Sequence, residues 1–168
     1  AELTQVDPNA AEQALLNLSA LFRAALNAGQ TVSLADELTL SEQYLSLEQW
    51  RLGQRMTVQW DLPAQIPELT LPALTIQPLL ENAVRHGVEN CAEQARLHLT
   101  LVESRQSVSI VITNPLGMAG SPKSGNGIAL DNIRQRLQLH YGSGAQLISA
   151  TSEGRFRIKL VLPKDITR

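Results

Sequence analysis

The chain has 168 residues and a mass of 18.4 kDa, which fits one ordinary domain with a substantial hydrophobic core. Hydrophobic residues make up 43% of it and charged residues 18%, a composition typical of globular proteins. Because the formal net charge is only -2, there is no strong field to attract nucleic acid or an acidic membrane surface, and we expect binding to be confined to a local site.

Cysteine content and hydropathy indicate the compartment in which the chain is expected to fold. Cys91 is the only cysteine, which excludes an intrachain disulfide and favours a reducing compartment. There is no run of apolar residues long enough for a membrane span, and the first residues lack the charged-then-apolar order of a signal peptide. The chain is expected to be soluble as written, and its abrupt helical start indicates a piece of a longer protein.

Two helices are predicted at the start of the chain. The first covers residues 10–28, and Gly29 ends it. Its apolar face consists of Leu15, Leu18, Phe22 and Leu26. The second begins with a capping box in which Ser33 and Asp36 are three residues apart, and its apolar spacing continues to Gly53.

Strands and helices are mixed in the remainder. Further helices are predicted at 72–88 and 128–141, and the Gly-, Pro- and Ser-rich segment 114–127 is predicted to be a loop. Strands are predicted at 56–62, 96–102, 107–113, 145–151 and 155–162. Because tight turns join consecutive strands, part of the sheet must be antiparallel. We predict an α+β two-layer sandwich, a mixed and mostly antiparallel sheet covered by helices on one face, preceded by two helices.

The segment LLENAVRHG, residues 79–87, carries four polar side chains within the third predicted helix. Residues four apart share a helix face, so Glu81 with Arg85 and Asn82 with His86 form a polar stripe. A surface helix with a Glu–Arg pair would explain this stripe. Asn82 favours a second interpretation, because asparagine is mildly unfavourable within helices but its amide oxygen is a good Mg2+ ligand. Arg85 can contact phosphates and the ring of His86 a base or ribose, so the set suits a Mg-nucleotide.

A second motif, GNGIALDNIRQRL, covers residues 125–137. Gly125 and Gly127 allow backbone amides to approach an anion, and the helix that follows directs its positive dipole end at the same place. A flexible loop with a glycine hinge is the alternative. The GK[ST] of a Walker A loop and the third glycine of a dinucleotide fingerprint are missing, which excludes those two phosphate-binding motifs.

With these two segments in this order, the sequence resembles the ATP-binding catalytic domain of sensor histidine kinases, in the GHKL superfamily with DNA gyrase and MutL. It looks most like the LytS/AlgZ-type kinases. Nearly the whole chain takes part, through the segments YLSLEQWRLGQR, LPALTIQPLLENAVRHG, GNGIALDNIRQRL and GRFRIKLVLP. The resemblance implies a Bergerat ATP-binding fold for residues 31–168. It implies that residues 1–30 are the C-terminal part of the helical dimerisation and phosphoacceptor region.

The resemblance also implies roles for matching residues. Asn82 corresponds to the asparagine that binds Mg2+, Arg85 to the basic residue on the phosphates and His86 to the ring beside the nucleotide. Glu81 would orient a metal-bound water or pair with Arg85. Glu81, Asn82 and Arg85 together form the expected catalytic set. Further nucleotide contacts are expected from Asn114, Lys123, Gly125, Asn126, Gly127, Ile128, Leu130 and Asn132.

Three features depart from the family pattern. Asn114 stands where the superfamily has an aspartate that accepts a bond from the adenine amino group; its amide oxygen accepts but carries no charge. Ala129 replaces a glycine often found in the second glycine box. The family's phosphoacceptor histidine lies in a PHFLFN-like segment upstream, and none of His86, His98 and His140 has that context.

The leading interpretation is the ATP-binding catalytic domain of a two-component sensor histidine kinase. It would supply Mg-ATP for phosphoryl transfer to a histidine outside this chain, and we do not expect it to autophosphorylate alone. The alternatives are a degenerate module of this fold with weak or no nucleotide binding and an anti-sigma type serine kinase, against which the LytS-like helix at 44–55 argues. The resemblance further implies a homodimer in the full protein, a LytTR-type response regulator as partner, no nucleic acid, and a cytoplasmic position in an inner-membrane sensor.

Overall fold

A computed structural model describes residues 8–26, 29–116 and 126–164 of the chain. Within these ranges the helices are α1 Pro8–Leu26, α2 Leu34–Leu52, α3 Gln77–His86 and α4 Asn126–Tyr141. The strands are β1 Thr31–Ser33, β2 Met56–Asp61, β3 Thr70–Pro72, β4 Ala95–Glu103, β5 Ser107–Pro115, β6 Gln146–Ser152 and β7 Arg155–Pro163. A short 3-10 turn, Val88–Asn90, follows α3.

Helix α2 begins and ends as its sequence predicts. The Ser33 hydroxyl accepts the N–H of Asp36 at 3.0 Å and donates to the Asp36 carboxylate at 2.7 Å, which closes the start of the helix. At the other end Gly53 has a φ of 58°, which residues with side chains rarely adopt, and its N–H donates to the carbonyl of Gln49. These two local signals therefore fix the length of α2.

The main sheet has five strands in the order β2-β4-β5-β7-β6. Strand β2 pairs with β4 in parallel, and the other neighbouring pairs are antiparallel. The β6–β7 hairpin turns at Glu153 and Gly154, whose φ values are 51° and 71°. The predicted mixed, mostly antiparallel sheet is confirmed.

Helices cover one face of this sheet. Side chains alternate along each strand, so one set is buried in the core and the other points away from it. The buried set on β4, β5 and β7 comprises Leu97, Leu99, Leu101, Val108, Ile110, Ile112, Ile158, Leu160 and Leu162. On the opposite face the cations Arg96, Arg157 and Lys159 are exposed. The structure is thus the predicted α+β two-layer arrangement, with α1 and α2 preceding the sheet.

Helix α3 begins later than the sequence predicted. The prediction placed its start at Pro72, but Pro72 ends β3, which pairs antiparallel with β1 in a small second sheet. Leu74 then adopts a φ of 58°, and the helix starts at Gln77 with Pro78 in its first turn. Proline is accepted both at the edge of a sheet and at the start of a helix, so Pro72 by itself could not distinguish the two.

Helix α1 packs on α2 but leaves part of its apolar side exposed. Asn17 is buried, and its amide donates to the carbonyl of Gln43 on α2 at 3.5 Å. The exposed fractions of three leucines are 66% for Leu15, 56% for Leu16 and 53% for Leu18. The side chains of Phe22 and Leu26, predicted on the same face, lie outside the described residues. No helix in the described part of the chain has the length and apolarity to cross a membrane.

Candidate functional site

Side chains from elsewhere in the chain hold both ends of α3. The buried carboxylate of Glu37, on α2, accepts the N–H groups of residues 74–76 at 2.5, 3.0 and 2.9 Å. At the C-terminal end the side-chain amide of Asn90 donates to the carbonyls of Arg85 and His86 at 3.0 and 3.3 Å. The N–H and C=O groups at the ends of a helix lack partners within it; Glu37 supplies one such bond, at Ile76, and Asn90 supplies two at the C-terminal end. A carboxylate at the N-terminal end also suits the helix dipole.

Helix α3 separates apolar from polar side chains as predicted. Its apolar stripe lies in the core and consists of Leu79, Leu80, Ala83 and Val84. On the other side Glu81 and Arg85 are exposed and His86 is partly exposed. Asn82 has an exposed fraction of only 8%. Its amide is therefore in the wall of a site rather than on an open surface.

A cavity of about 330 Å³ lies along this polar stripe. The four predicted residues of the stripe, Glu81, Asn82, Arg85 and His86, all line it. The remaining walls include residues from α2, the N-terminal turn of α3, the turn after α3 and the first turn of α4, namely Tyr44, Arg51, Pro78, Glu89 and Ala129. Small-molecule sites in proteins have volumes of about 300–1,000 Å³, so this cavity is large enough for one.

Arg85 is the cation of the stripe that is available to a ligand. Glu81 accepts a hydrogen bond from the Gln77 amide at 2.9 Å. No ion pair joins Glu81 to Arg85 in the described structure, and the guanidinium of Arg85 has no hydrogen-bonded partner there. A free guanidinium on a cavity wall is suited to phosphate or carboxylate oxygens.

The second arginine of the cavity is already engaged. Arg51 donates to Glu48 through Nε at 3.0 Å and through Nη2, and Nη2 also pairs with Glu89. These two carboxylates raise the pKa of Arg51, so it remains a cation. Pairs this exposed contribute little to stability, but they fix the position of the guanidinium beside the cavity. Burial, and secondarily Glu48 and Glu81, raises the pKa of Tyr44, whose hydroxyl remains neutral.

His86 lines the cavity as a neutral ring at physiological pH. Burial is the main cause that lowers its pKa, the neighbouring charge of Arg85 lowers it further, and Glu89 opposes both. The ordinary histidine pKa is about 6.5, so a lowered value leaves the imidazole uncharged near pH 7. A neutral ring packs against a flat ligand group without the cost of burying a charge.

Three side-chain amides in or beside α3 have a buried atom without a hydrogen-bond partner in the described structure: Gln77 Oε1, Asn82 Nδ2 and Asn114 Oδ1. Asn114 lies near the end of β5 with an exposed fraction of 2%, and its Nδ2 donates to the Pro115 carbonyl at 2.9 Å. The Asn114 side chain packs on Gly87, where an added Cβ would lie only 2.1 Å from Nδ2. Buried polar atoms normally have partners, so these three atoms are candidates for contact with a polar ligand group; of the three residues, Asn82 lines the cavity and Gln77 and Asn114 do not.

The second glycine motif is described only in part. Lys123 and Gly125 lie outside the described residues, and so do the side chains of residues 126–128, whose backbone forms the first turn of α4. Leu130 is buried in the hydrophobic core, and Asn132 is exposed. Neither residue lines the cavity, whereas their neighbour Ala129 does. The structure therefore brings the start of α4, rather than its second turn, to the polar stripe.

Sequence reasoning missed the contribution of α2 to this cavity. In the sequence, Tyr44 and Arg51 belong to the segment YLSLEQWRLGQR. They are seven residues apart, close to two helical turns, so they share a face of α2. Glu48 lies on the same side, one turn before Arg51. This spacing was the available signal, but it does not say what the face contacts.

Comparison of the sequence with known proteins also finds histidine kinases. The family model described as histidine kinase matches residues 1–56. The sensor histidine kinase YpdA of Escherichia coli (strain K12) is 30% identical over 155 residues, 85% of this chain and 27% of that protein. The sensor protein LytS of Streptococcus mutans is 29% identical over 167 residues, 90% of this chain and 29% of that protein. The chain thus spans less than a third of the length of either relative.

Solved structures agree in fold. A nucleotide-free form of the catalytic domain of histidine kinase ThkA has a TM-score of 0.59 and 15% identity, with 80% of this chain and 98% of that chain covered. Histidine kinase ThkA in complex with the response regulator protein TrrA has a TM-score of 0.57 and 16% identity, covering 96% of this chain and 54% of that chain. With relatives, family match and fold in agreement, the chain belongs to the sensor histidine kinases and is of the LytS type.

Proposed function

We propose that this chain is the ATP-binding catalytic domain of its kinase and that it binds Mg-ATP in the cavity along α3. The observation that carries the proposal is that Glu81, Asn82, Arg85 and His86 line one cavity in which Arg85 has no partner among the described residues. In this function the nucleotide would be presented to a histidine in another segment of the whole protein. The fragment alone would bind nucleotide without phosphorylating itself.

The residues present suit a magnesium ion. Asn82 has a nearly buried amide on the cavity wall, and amide oxygens are among the hard ligands that Mg2+ accepts. Mg2+ usually keeps several waters and takes few protein ligands. One amide oxygen from the protein, together with phosphate oxygens and waters, is therefore enough to bind the ion. When bound, the ion would offset charge on the phosphates. Asn82 would hold it through Oδ1, and Glu81, which lines the same cavity, would orient one of its waters.

Arg85, His86 and Asn114 would then bind the organic part and the phosphates. The free guanidinium of Arg85 would neutralise phosphate oxygens, which is a main contribution of protein groups to phosphoryl transfer. The neutral ring of His86 would pack beside the ribose or base. Asn114 Oδ1, the buried acceptor without a partner, would accept from the adenine amino group. We assign the remaining contacts, by resemblance, to Lys123, Gly125, Asn126, Gly127 and Ile128; Leu130 and Asn132, which do not line the cavity, are left without a contact.

The same proposal covers the organisation and partners of the whole protein. Residues 1–30 would belong to the dimerisation and phosphoacceptor helices, and residues 31–168 would form the nucleotide-binding domain. Three exposed leucines on α1 support a helical partner there, and a homodimer would supply it. ThkA, whose fold is similar, binds a response regulator, which supports such a partner here, of the LytTR type. The domain would lie on the cytoplasmic side of an inner-membrane sensor.

Calorimetric titration with Mg-ADP and Mg-ATP tests the proposal. We expect saturable binding that requires Mg2+ in the unaltered chain, and loss of that requirement together with most of the affinity in Asn82→Ala. Gln49→Ala, which removes an exposed amide on α2, is the matched control and should bind as the unaltered chain does. Circular dichroism would establish that both variants are folded.

A degenerate module with this fold is the second candidate, favoured by the uncharged Asn114 and by Ala129 in place of glycine. It predicts no heat at millimolar nucleotide from a fully folded chain. That result would refute the nucleotide-binding proposal. Binding that is unchanged in Asn82→Ala would instead refute only the choice of metal ligand.

A further inference from the structure

Charged side chains of two other helices form hydrogen bonds with the backbone of the loop that leads into α3. From α2, Glu37 accepts the N–H groups of residues 74–76. From α4, Arg136 donates to the carbonyl of Leu74 at 3.0 Å and to the carbonyl of Ala73. One carboxylate therefore occupies the donors of this loop, and one guanidinium occupies its acceptors. We call the pair Glu37 and Arg136 the loop clamp.

The loop clamp replaces the cap that α3 lacks in its own sequence. The residue before the helix is Ile76, which makes no side-chain cap, and the usual Ser, Thr, Asp or Asn is absent from that position. The cap comes instead from Glu37, which is 37 to 39 residues away from the three groups it bonds. The position of the start of α3 is thus set by α2 and not by local sequence.

Glu37 is a buried carboxylate and needs compensating contacts. Its exposed fraction is 1%, and a buried carboxylate is costly unless hydrogen bonds and an opposite charge compensate it. Burial raises the pKa of Glu37, while the three N–H groups and then Arg136 act against that rise. Leu74 also holds a φ of 58°, which leucine rarely adopts. Such a residue persists only where surrounding contacts determine its conformation, and both members of the loop clamp contact it.

Helix α2 also holds the far end of α3. Arg51 of α2 pairs with Glu89 in the turn that follows α3. Arg55, in the 3-10 turn Gly53–Arg55 that follows α2, donates to the carbonyls of Glu89 and Cys91 at 3.3 and 3.4 Å. The helix with Asn82 and Arg85 is therefore fixed to α2 at both ends, and through Arg136 it is fixed to α4 at one end. Ala129, on the first turn of α4, lines the same cavity.

We propose that Glu37 and Arg136 are positioning residues for the nucleotide site: together they set α3 relative to α2 and α4, and so the distance between the polar stripe and the first turn of α4. Neither residue lines the cavity, so they act through the backbone of residues 73–76. The inference rests on the proposed function, because it assigns a role in forming that same site.

The test is the affinity for Mg-ADP of Glu37→Gln and Arg136→Lys, measured by calorimetry at a temperature at which circular dichroism shows every variant folded. Residues that act on a site without contacting its ligand typically change the coupling by an amount equivalent to about 2- to 30-fold in affinity, and we expect each variant to weaken binding by about tenfold. The double variant should be less affected than the product of the two single effects, because both act on one loop. Glu42→Gln and Arg96→Lys, both exposed, are matched controls and should bind normally.

A purely structural role would give a different result. In that case the variants would unfold at lower denaturant concentration, yet their affinity while folded would equal that of the unaltered chain, and the inference would be overturned. If Glu37→Gln does not fold, Arg136→Lys decides alone, because it retains the charge and loses only the fork that reaches two carbonyls. Absence of binding by the unaltered chain would refute the proposed function, and this inference with it. Binding by the unaltered chain and by both variants alike refutes this inference only.

Discussion

Replacement of Gly87 by alanine is the most direct test of how α3 meets the sheet. Gly87 follows the last residue of α3 and has a φ of −97°, which alanine adopts without strain. The space for the added methyl group, in contrast, is already occupied. A Cβ at this position would lie 2.1 Å from Asn114 Nδ2, 2.8 Å from Asn114 Cγ and 2.6 Å from the carbonyl oxygen of Ala83. Unlike the Asn114 side chain, that carbonyl is backbone and cannot rotate away.

These distances set the size of the effect. Non-bonded heavy atoms are normally about 3.5–4.0 Å apart, so both Asn114 and the end of α3 must move. An extra methyl group in a packed region typically costs about 1–3 kcal/mol. Displacement of Asn114 from the Pro115 carbonyl would add about 1 kcal/mol. Alanine also lowers the conformational entropy of the unfolded chain, which offsets this loss of stability by about 0.4–1 kcal/mol. We expect Gly87→Ala to lower the free energy of unfolding by about 1–4 kcal/mol.

Urea unfolding followed by circular dichroism measures this loss. For a small domain the free energy changes by about 1–3 kcal/mol per molar urea, so a loss of about 2 kcal/mol would lower the midpoint by about 1 M. Gly29→Ala is the control, because a Cβ there meets nothing within 4 Å, and its midpoint should hardly change. Nucleotide affinity should fall too, since Asn114 is displaced. A Gly87→Ala midpoint equal to that of the unaltered chain would refute the packing of Asn114 on α3.

Two further predictions concern a helix cap and a titration. Ser33→Ala removes the side-chain oxygen that accepts the Asp36 N–H, and it should lower the free energy of unfolding by about 1 kcal/mol in the same urea assay; no change would mean that the capping bond is not formed in solution. For His86, NMR titration of the ring protons should give a pKa below the ordinary 6.5. Between that lowered value and 6.5 the unfolded chain binds more protons than the folded one, so His86 should reduce stability as the pH falls through this window. A value above 6.5 would contradict the burial of the ring.

The elements with local signals were predictable from the sequence. Alternation located the strands of the main sheet, and Ser33 with Asp36 located the start of α2, since a capping box depends only on residues three apart. The start of α3 was not predictable, because the group that caps it, Glu37, is 39 residues away from Ile76 in the sequence. No pattern within the loop itself indicates such a partner.

The candidate site shows the same division. The polar stripe of α3 follows from helical periodicity, so Glu81, Asn82 and Arg85 were found as a set. The opposite wall, with Tyr44 and Arg51, comes from a helix some thirty residues upstream whose face is polar for reasons that only the tertiary structure reveals. Glu81 accepts a hydrogen bond from Gln77, and helical spacing alone does not distinguish this partner from Arg85, because both are four residues away.

The parallel pairing of β2 with β4 has a consequence for how the site assembles. Hairpins β4–β5 and β6–β7 join neighbouring segments, whereas the β2–β4 pair brings Met56 beside Ala95 and encloses α3 in the connection between them. Long connections cost more entropy to close, so contacts of this kind tend to form late in folding. The helix with Asn82 and Arg85 would then reach its final place only after the hairpins exist. A nucleotide that recognises this site would select finished molecules and add to their stability by mass action.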